Sequence, residues 1–150
     1  MTSRDRTVYE CAAMNTNSHP TVYSHRDLIV WQRAMDLVDK IYDIAETLPP
    51  RENFGLFSQL TRSAVSVPTN IAEGRARSTA RDFAHFLVLS RSSLMELDTL
   101  LEVMVRRKYI TRQAALQLLD HVTQLSKMLS TLRRKIDPPK KRPEKLAPVT

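Results

Sequence analysis

Ser63-Ala-Val-Ser-Val-Pro-Thr-Asn-Ile-Ala-Glu-Gly74 decides how this chain folds. Leu56, Leu60, Ala64, Val67 and Ile71 recur at helical spacing and mark the inner stripe of a helix running through it. Inside that helix stands Pro68. A proline there removes one backbone hydrogen bond and crowds the preceding turn, at roughly 3 kcal/mol, so neighbouring interactions must offset it. Pro68 is expected to bend the helix and to leave the Ala64 carbonyl without its donor. Ser63, Ala64 and Ser66 are small enough for a second helix to approach closely. Asn70 offers two donors and an acceptor, and Glu73 offers acceptors only. They suit either a tie from this helix to the first or third, or a contact with a protein or an RNA. Gly74 is expected to stop the helix in a left-handed conformation.

Three further seams flank this one. Trp31, Ala34, Val38, Ile41, Ala45 and Leu48 define a first helix from about Asp27 to Leu48, closed by Pro49-Pro50. The second begins between Glu52 and Leu56 and reaches about Ala72. Phe83, Leu87, Ser90, Leu94, Leu97, Leu101 and Met104 define a third, from Ser78 or Thr79 to Arg107, with Thr79 and Asp82 approximating a capping box. Ala115, Leu118, Val122, Leu125, Leu129, Leu132 and Ile136 define a fourth, with Thr111 as N-cap and Pro138-Pro139 as its stop. Four seams with short connections predict an all-α, antiparallel up-down-up-down four-helix bundle over residues 25–137. Residues 1–24 read as a disordered N-terminal segment and 138–150 as a disordered, basic Pro/Lys-rich tail.

Composition agrees with one helical domain: the 150 residues include only two glycines. No apolar run approaches the roughly 20 residues that span a membrane. The N-terminus has no apolar signal core, and Cys11 is a lone cysteine, so a cytoplasmic location is expected. Catalytic patterns are missing. His19, His25, His85 and His121 are scattered, and none pairs with another ligand at metal spacing. No phosphate-binding glycine loop and no nucleophile elbow occur. The reading is a non-enzyme with no metal and no cofactor.

Charge carries more. The net charge is +7, and residues 133–150 hold seven basic against two acidic residues. The bundle topology would gather Arg75, Arg77 and Arg81 with Arg133, Arg134 and Lys135 at one end. Lys140, Lys141 and Arg142 extend that cluster into the tail. Arg51, Arg106, Arg107, Lys108 and Arg112 would fall at the other end. Arginine grips phosphate with bidentate geometry, so the first cluster is the candidate RNA-backbone site. Aromatics are few and most sit on or near seams, which argues against base stacking as the main recognition mode. Leu28, Ile29, Met35, Leu37, Phe57, Phe86, Leu89, Met95, Leu100 and Leu116 lie outside or beside the seams, an apolar excess that predicts a homo-oligomer.

The Ser63–Gly74 stretch resembles the signature of the 23S rRNA intervening-sequence (S23-like) proteins. Asp27-Leu-Ile-Val-Trp-Gln32, Glu52 with Phe54-Gly55-Leu56, and Ser92-Ser93-Leu94-Met95-Glu96-Leu97 extend the likeness over about residues 25–135. The resemblance implies a four-helix bundle, a homopentamer, and a gene location inside rRNA intervening sequences for some members. Related bundles, accessory proteins of diversity-generating retroelements, bind nucleic acid and a reverse transcriptase. Pro68, Asn70, Glu73 and Gly74 are then the structural motif. This chain departs from common family forms at Thr61, and it lacks a glycine near Arg107-Lys108-Tyr109. The expectation is an oligomeric RNA-associated protein, with a protein-interaction scaffold or an accessory subunit of a reverse transcriptase as the alternative.

Overall fold

A computed structural model describes residues 24–139. Four helices carry the fold: α1 (Ile29–Ala45), α2 (Leu56–Arg75), α3 (Ala80–Arg106) and α4 (Arg112–Ile136). Single 3-10 turns precede α1 at His25–Asp27 and α2 at Pro50–Glu52. Among the described residues there is no strand. Each helix packs on its chain neighbours, and α4 closes the ring on α1.

Contacts along each pair give the directions. Between α1 and α2, the Tyr42 and Phe57 rings meet at one end, and Trp31 and Ala72 line one cleft at the other. Gly74 meets Phe83 and Phe86, while Ser66 meets Ser93, so α2 and α3 are antiparallel. Glu102–Arg112 and Arg91–Ser126 make α3 and α4 antiparallel. Lys40 lies on His121, and Val30 shares a cleft with Thr131, which sets α4 against α1. One end thus gathers the start of α1, the α2–α3 turn and the end of α4. The other gathers the α1–α2 and α3–α4 turns.

Most seam positions are core: Ala34, Ile41, Leu60, Val67, Leu87, Leu97, Leu101, Leu125 and Leu129 are buried. Two residues counted in the apolar excess outside or beside the seams belong to the core. Leu37 and Leu100 are buried, because the core stripe of each helix is wider than a strict two-position seam. Leu28, Phe57 and Phe86 are half-buried against the same core or its margin. Ile29, Met35, Leu89, Met95 and Leu116 are exposed, as are Val65 and Val88.

Local chemistry sets the helix limits. The Thr79 hydroxyl accepts from Asp82 N at 3.1 Å and the Thr111 hydroxyl from Ala114 N at 3.1 Å, so both threonines cap as expected. The full capping box is at Ser24 and Asp27 instead. That box holds a 3-10 turn and delays α1 to Ile29, while α1 ends at Ala45, before the prolines. α2 continues through Gly74 to Arg75, three residues beyond the expected limit of Ala72. Gly74 has no left-handed backbone and is not a stop residue. The tail regions fall outside the described residues, apart from Ser24, Pro138 and Pro139.

Candidate functional site

The signature stretch is a helix–helix contact. Pro68 is buried within α2. Around it, four side chains make hydrogen bonds at the α2–α3 contact. The Ser90 hydroxyl donates to the Val67 carbonyl at 2.8 Å. Ser66 Oγ and Ser93 Oγ lie 2.9 Å apart. Asn70 Nδ2 donates to the Ser66 carbonyl at 2.8 Å and to Ser66 Oγ at 3.0 Å. Asn70 therefore reaches α3 through Ser66 as a relay, not by its own contact. Glu73 ties to neither α1 nor α3. It is exposed and accepts from Arg77 Nη2 at 2.8 Å.

Gly74 is set by space. A Cβ there would lie 2.6 Å from Phe86 Cβ and 2.9 Å from Phe83 Cδ2. Only a glycine lets α3 come this close. Phe86 in turn receives the Arg77 guanidinium, 4.7 Å from its ring centroid. Arg77 is thus held between Glu73 and Phe86.

The remaining cations of this end divide. Arg81, Arg133 and Arg134 line one cleft of about 410 Å³, together with Asp137, Pro138 and Pro139. Arg81 comes from the first turn of α3 and the other two from the last turns of α4, so the antiparallel fold makes the cluster. Lys135 lies in a different cleft, between α1 and α4, with Val30, Lys127, Met128, Thr131 and Leu132. Arg75 is half-buried at the last position of α2. Lys140, Lys141 and Arg142 lie outside the described residues.

At the opposite end most cations are engaged. Glu102 accepts from Arg106 Nε at 3.1 Å and from both Nη atoms of Arg112. Those bonds, Arg112 first, hold its carboxyl down to about 2. Glu52 Oε1 accepts from the Tyr109 hydroxyl at 2.8 Å, and Glu52 Oε2 from Leu56 N at 3.3 Å. The Tyr109 bond, then the Leu56 N–H, hold the Glu52 carboxyl below its ordinary value, with help from Arg51 and Arg107. Arg51 donates to the Tyr109 hydroxyl at 3.3 Å and stands 5.8 Å from its ring centroid.

The missing glycine is visible at this turn. Tyr109 N bonds the Met104 carbonyl and Lys108 N the Val105 carbonyl, each at 2.9 Å, closing α3 in a Schellman motif. The left-handed position of that motif is Lys108, with φ 61°. Sequence reasoning named Phe54 only as part of the family likeness and gave it no role; it is fully exposed at 101%. Its signal was available: it lies between Pro49-Pro50 and Gly55, off every helical seam.

Among the described residues no group of three or more His, Cys, Asp or Glu is placed to hold a metal ion, and no helix is long and apolar enough to cross a membrane. Fold and surface together define a small four-helix-bundle protein whose distinctive chemistry is positive charge at both ends. The chain belongs to the 23S rRNA-intervening sequence protein family, which matches residues 26–131. A crystal structure of a protein of unknown function from the S23 ribosomal protein family of Bacteroides thetaiotaomicron is similar. Its TM-score is 0.66 at 23% identity, covering 71% of this chain and 99% of that one, a likeness of fold. A search of curated proteins gave no match.

Proposed function

We propose that the chain is a non-enzymatic, oligomeric, RNA-associated protein that holds phosphate backbone at the Gly74 end. One observation carries this reading: Arg81 of α3 and the adjacent Arg133 and Arg134 of α4, far from it in sequence, converge on a single open cleft. Planar guanidiniums in such an arrangement suit successive phosphate oxygens, while the lone carboxylate of Asp137 leaves the cleft net positive. Arg75, Arg77 and Lys135 border this end, and Lys140, Lys141 and Arg142 follow it in sequence. Backbone contacts of this kind give affinity without base specificity. The family's description, an rRNA-intervening sequence protein, is in keeping with an RNA partner.

The test is binding of the purified protein to a structured RNA and to DNA of matched sequence across a salt series. Affinity should fall steeply with salt, and replacing Arg81, Arg133 and Arg134 by glutamine should weaken it while the helical signal is retained. No binding at low salt would sink the reading.

A second reading has its own support. Ile29, Met35, Val65, Leu89, Met95 and Leu116 are exposed apolar side chains. They suit a homo-oligomer, the pentamer implied by the resemblance, or a scaffold for a reverse transcriptase or another RNA enzyme. Light scattering that gave only monomer at micromolar concentration would exclude self-assembly under those conditions.

A further inference from the structure

Two features of the Tyr109 end do not serve the core. Phe54 leaves a whole phenyl ring in water. Lys108 holds a left-handed backbone that glycine would adopt without strain. The two turns are fastened to each other. Glu52 and Arg51, just before Phe54, both bond the hydroxyl of Tyr109, just after Lys108.

The charges around them are sorted. Glu102 is taken by Arg106 and Arg112, and Glu52 is bonded to Tyr109. Among the described residues Arg107 and Lys108 make no ion pair, and both are exposed. An accessible phenyl ring and two available cations therefore stand on joined turns, with the nearby carboxylates occupied. A phosphate backbone alone would use the cations and leave the ring idle. Bases inside a duplex are already stacked on one another and are closed to a side chain. An unpaired nucleotide uses both features, because its base has a free face and its phosphates flank it.

We propose that the Tyr109 end is a second nucleic-acid site, specific for single strands. Phe54 stacks on an unpaired base, and Arg107 and Lys108 hold the adjoining phosphates. The Arg51–Tyr109–Glu52 contacts keep the two turns in register. This rests on the nucleic-acid reading above but assigns a different end of the bundle and a different ligand.

The experiment uses the full chain at low salt. The probes are a single-stranded RNA carrying 2-aminopurine and a blunt RNA duplex of the same length. Phe54→Ala should weaken single-strand binding about 5- to 100-fold and abolish the change in 2-aminopurine fluorescence. Duplex affinity should not change, and Phe54→Trp should retain single-strand binding. Arg107→Gln with Lys108→Gln should reduce the single-strand salt slope by about 1.4. Arg81→Gln with Arg133→Gln and Arg134→Gln should weaken the duplex more than the single strand. If the native protein binds and Phe54→Ala leaves single-strand affinity intact, or lowers both probes equally, the stacking site is overturned and the phosphate reading stands. If Phe54→Ala instead dissociates an oligomer and spares RNA binding, the ring anchors another copy and the proposal fails. Binding of neither probe by the native protein removes both readings together.

Discussion

At the Gly74 end, Arg81, Arg133 and Arg134 surround an open cleft, and the α2–α3 contact at the same end is packed tightly enough to exclude a single methyl group at Gly74. At the Tyr109 end, Arg106 and Arg112 are bound to Glu102, Arg51 lies on Tyr109, and the turns show an exposed phenyl ring and a left-handed lysine. Both ends are rich in arginine, yet they differ in what the arginine is for. Close packing at one end leaves cations for an outside ligand. Cross-linking at the other uses most of them to hold two turns together. A count of basic residues therefore overstates the free charge of the second end.

The largest effect should come from the packing at the first end. Gly74→Ala gains helix propensity worth about 1 kcal/mol. Its new methyl, however, would stand 2.6 Å from Phe86 Cβ, an atom fixed to the α3 backbone. Overpacking costs about 1–3 kcal/mol, and a contact this short against the backbone-fixed Cβ belongs at the upper end, so a net destabilisation of about 2 kcal/mol is expected in urea. Phe86→Ala in the same background keeps that Cβ and should restore none of the loss. A neutral or stabilising Gly74→Ala would show that α2 and α3 part easily, and the contrast between the ends would collapse.

Removing the link between the turns should have a smaller effect. Tyr109→Phe deletes the hydroxyl that donates to Glu52 and accepts from Arg51. A loss of about 0.5–1.5 kcal/mol is expected for the hydrogen bond. The Glu52 carboxyl should also rise toward its ordinary value, since the Tyr109 bond is the main cause of its depression. A carboxyl-carbon NMR titration of Glu52 checks this. An unmoved Glu52 would mean that the turns are held by packing alone.

These contacts explain how much the chain disclosed. Helix number and most core positions follow from spacing, because Ala34, Leu60, Leu97 and Leu125 repeat with the helical period whatever their neighbours do. Threonine caps at Thr79 and Thr111 were legible for the same local reason. Leu37 and Leu100 were misplaced because two-position seams omit the flanks of a broad stripe. Gly74 was misread because a helix stop and a close helix contact both favour glycine, and only the position of Phe86 separates them. The convergence of Arg81 with Arg133 and Arg134 followed from antiparallel topology. The departure of Lys135 to another cleft did not, because it depends on its angle around α4. The pairing of Arg106 and Arg112 through Glu102 was hidden because Arg112 lies ten positions away, across a turn.

Lys108 offers a test with the opposite sign. Its φ of 61° imposes about 1–2 kcal/mol on a non-glycine residue. Lys108→Gly relieves that strain but adds freedom to the unfolded chain, so a net gain of up to about 1 kcal/mol is expected. The same change should lower single-strand affinity if this lysine holds a phosphate. A gain in stability without a loss in binding would reduce Lys108 to a tolerated turn residue.

The smallest effect lies in the acid dependence of the Tyr109 end. Glu102 titrates at about 2 in the folded protein, held there by hydrogen bonds from Arg112 and Arg106, against an ordinary value of 4.5. A depressed folded value means that the unfolded chain takes up the proton first as the pH falls. The contribution of Glu102 is therefore complete above pH 4.5 and is lost progressively as the pH falls toward 2. Its side chain is 36% exposed, so solvent screens the pairs and the change is small. Glu102→Gln should flatten the stability curve between those two pH values, and high salt should shrink the difference from the native protein. The variant also releases Arg106 and Arg112, so its RNA affinity at neutral pH should rise. If the acid slopes of the variant and the native protein coincide, Glu102 does not fix these arginines in solution. Both ends of the bundle would then present free cations, and the distinction between them would rest on Phe54 alone.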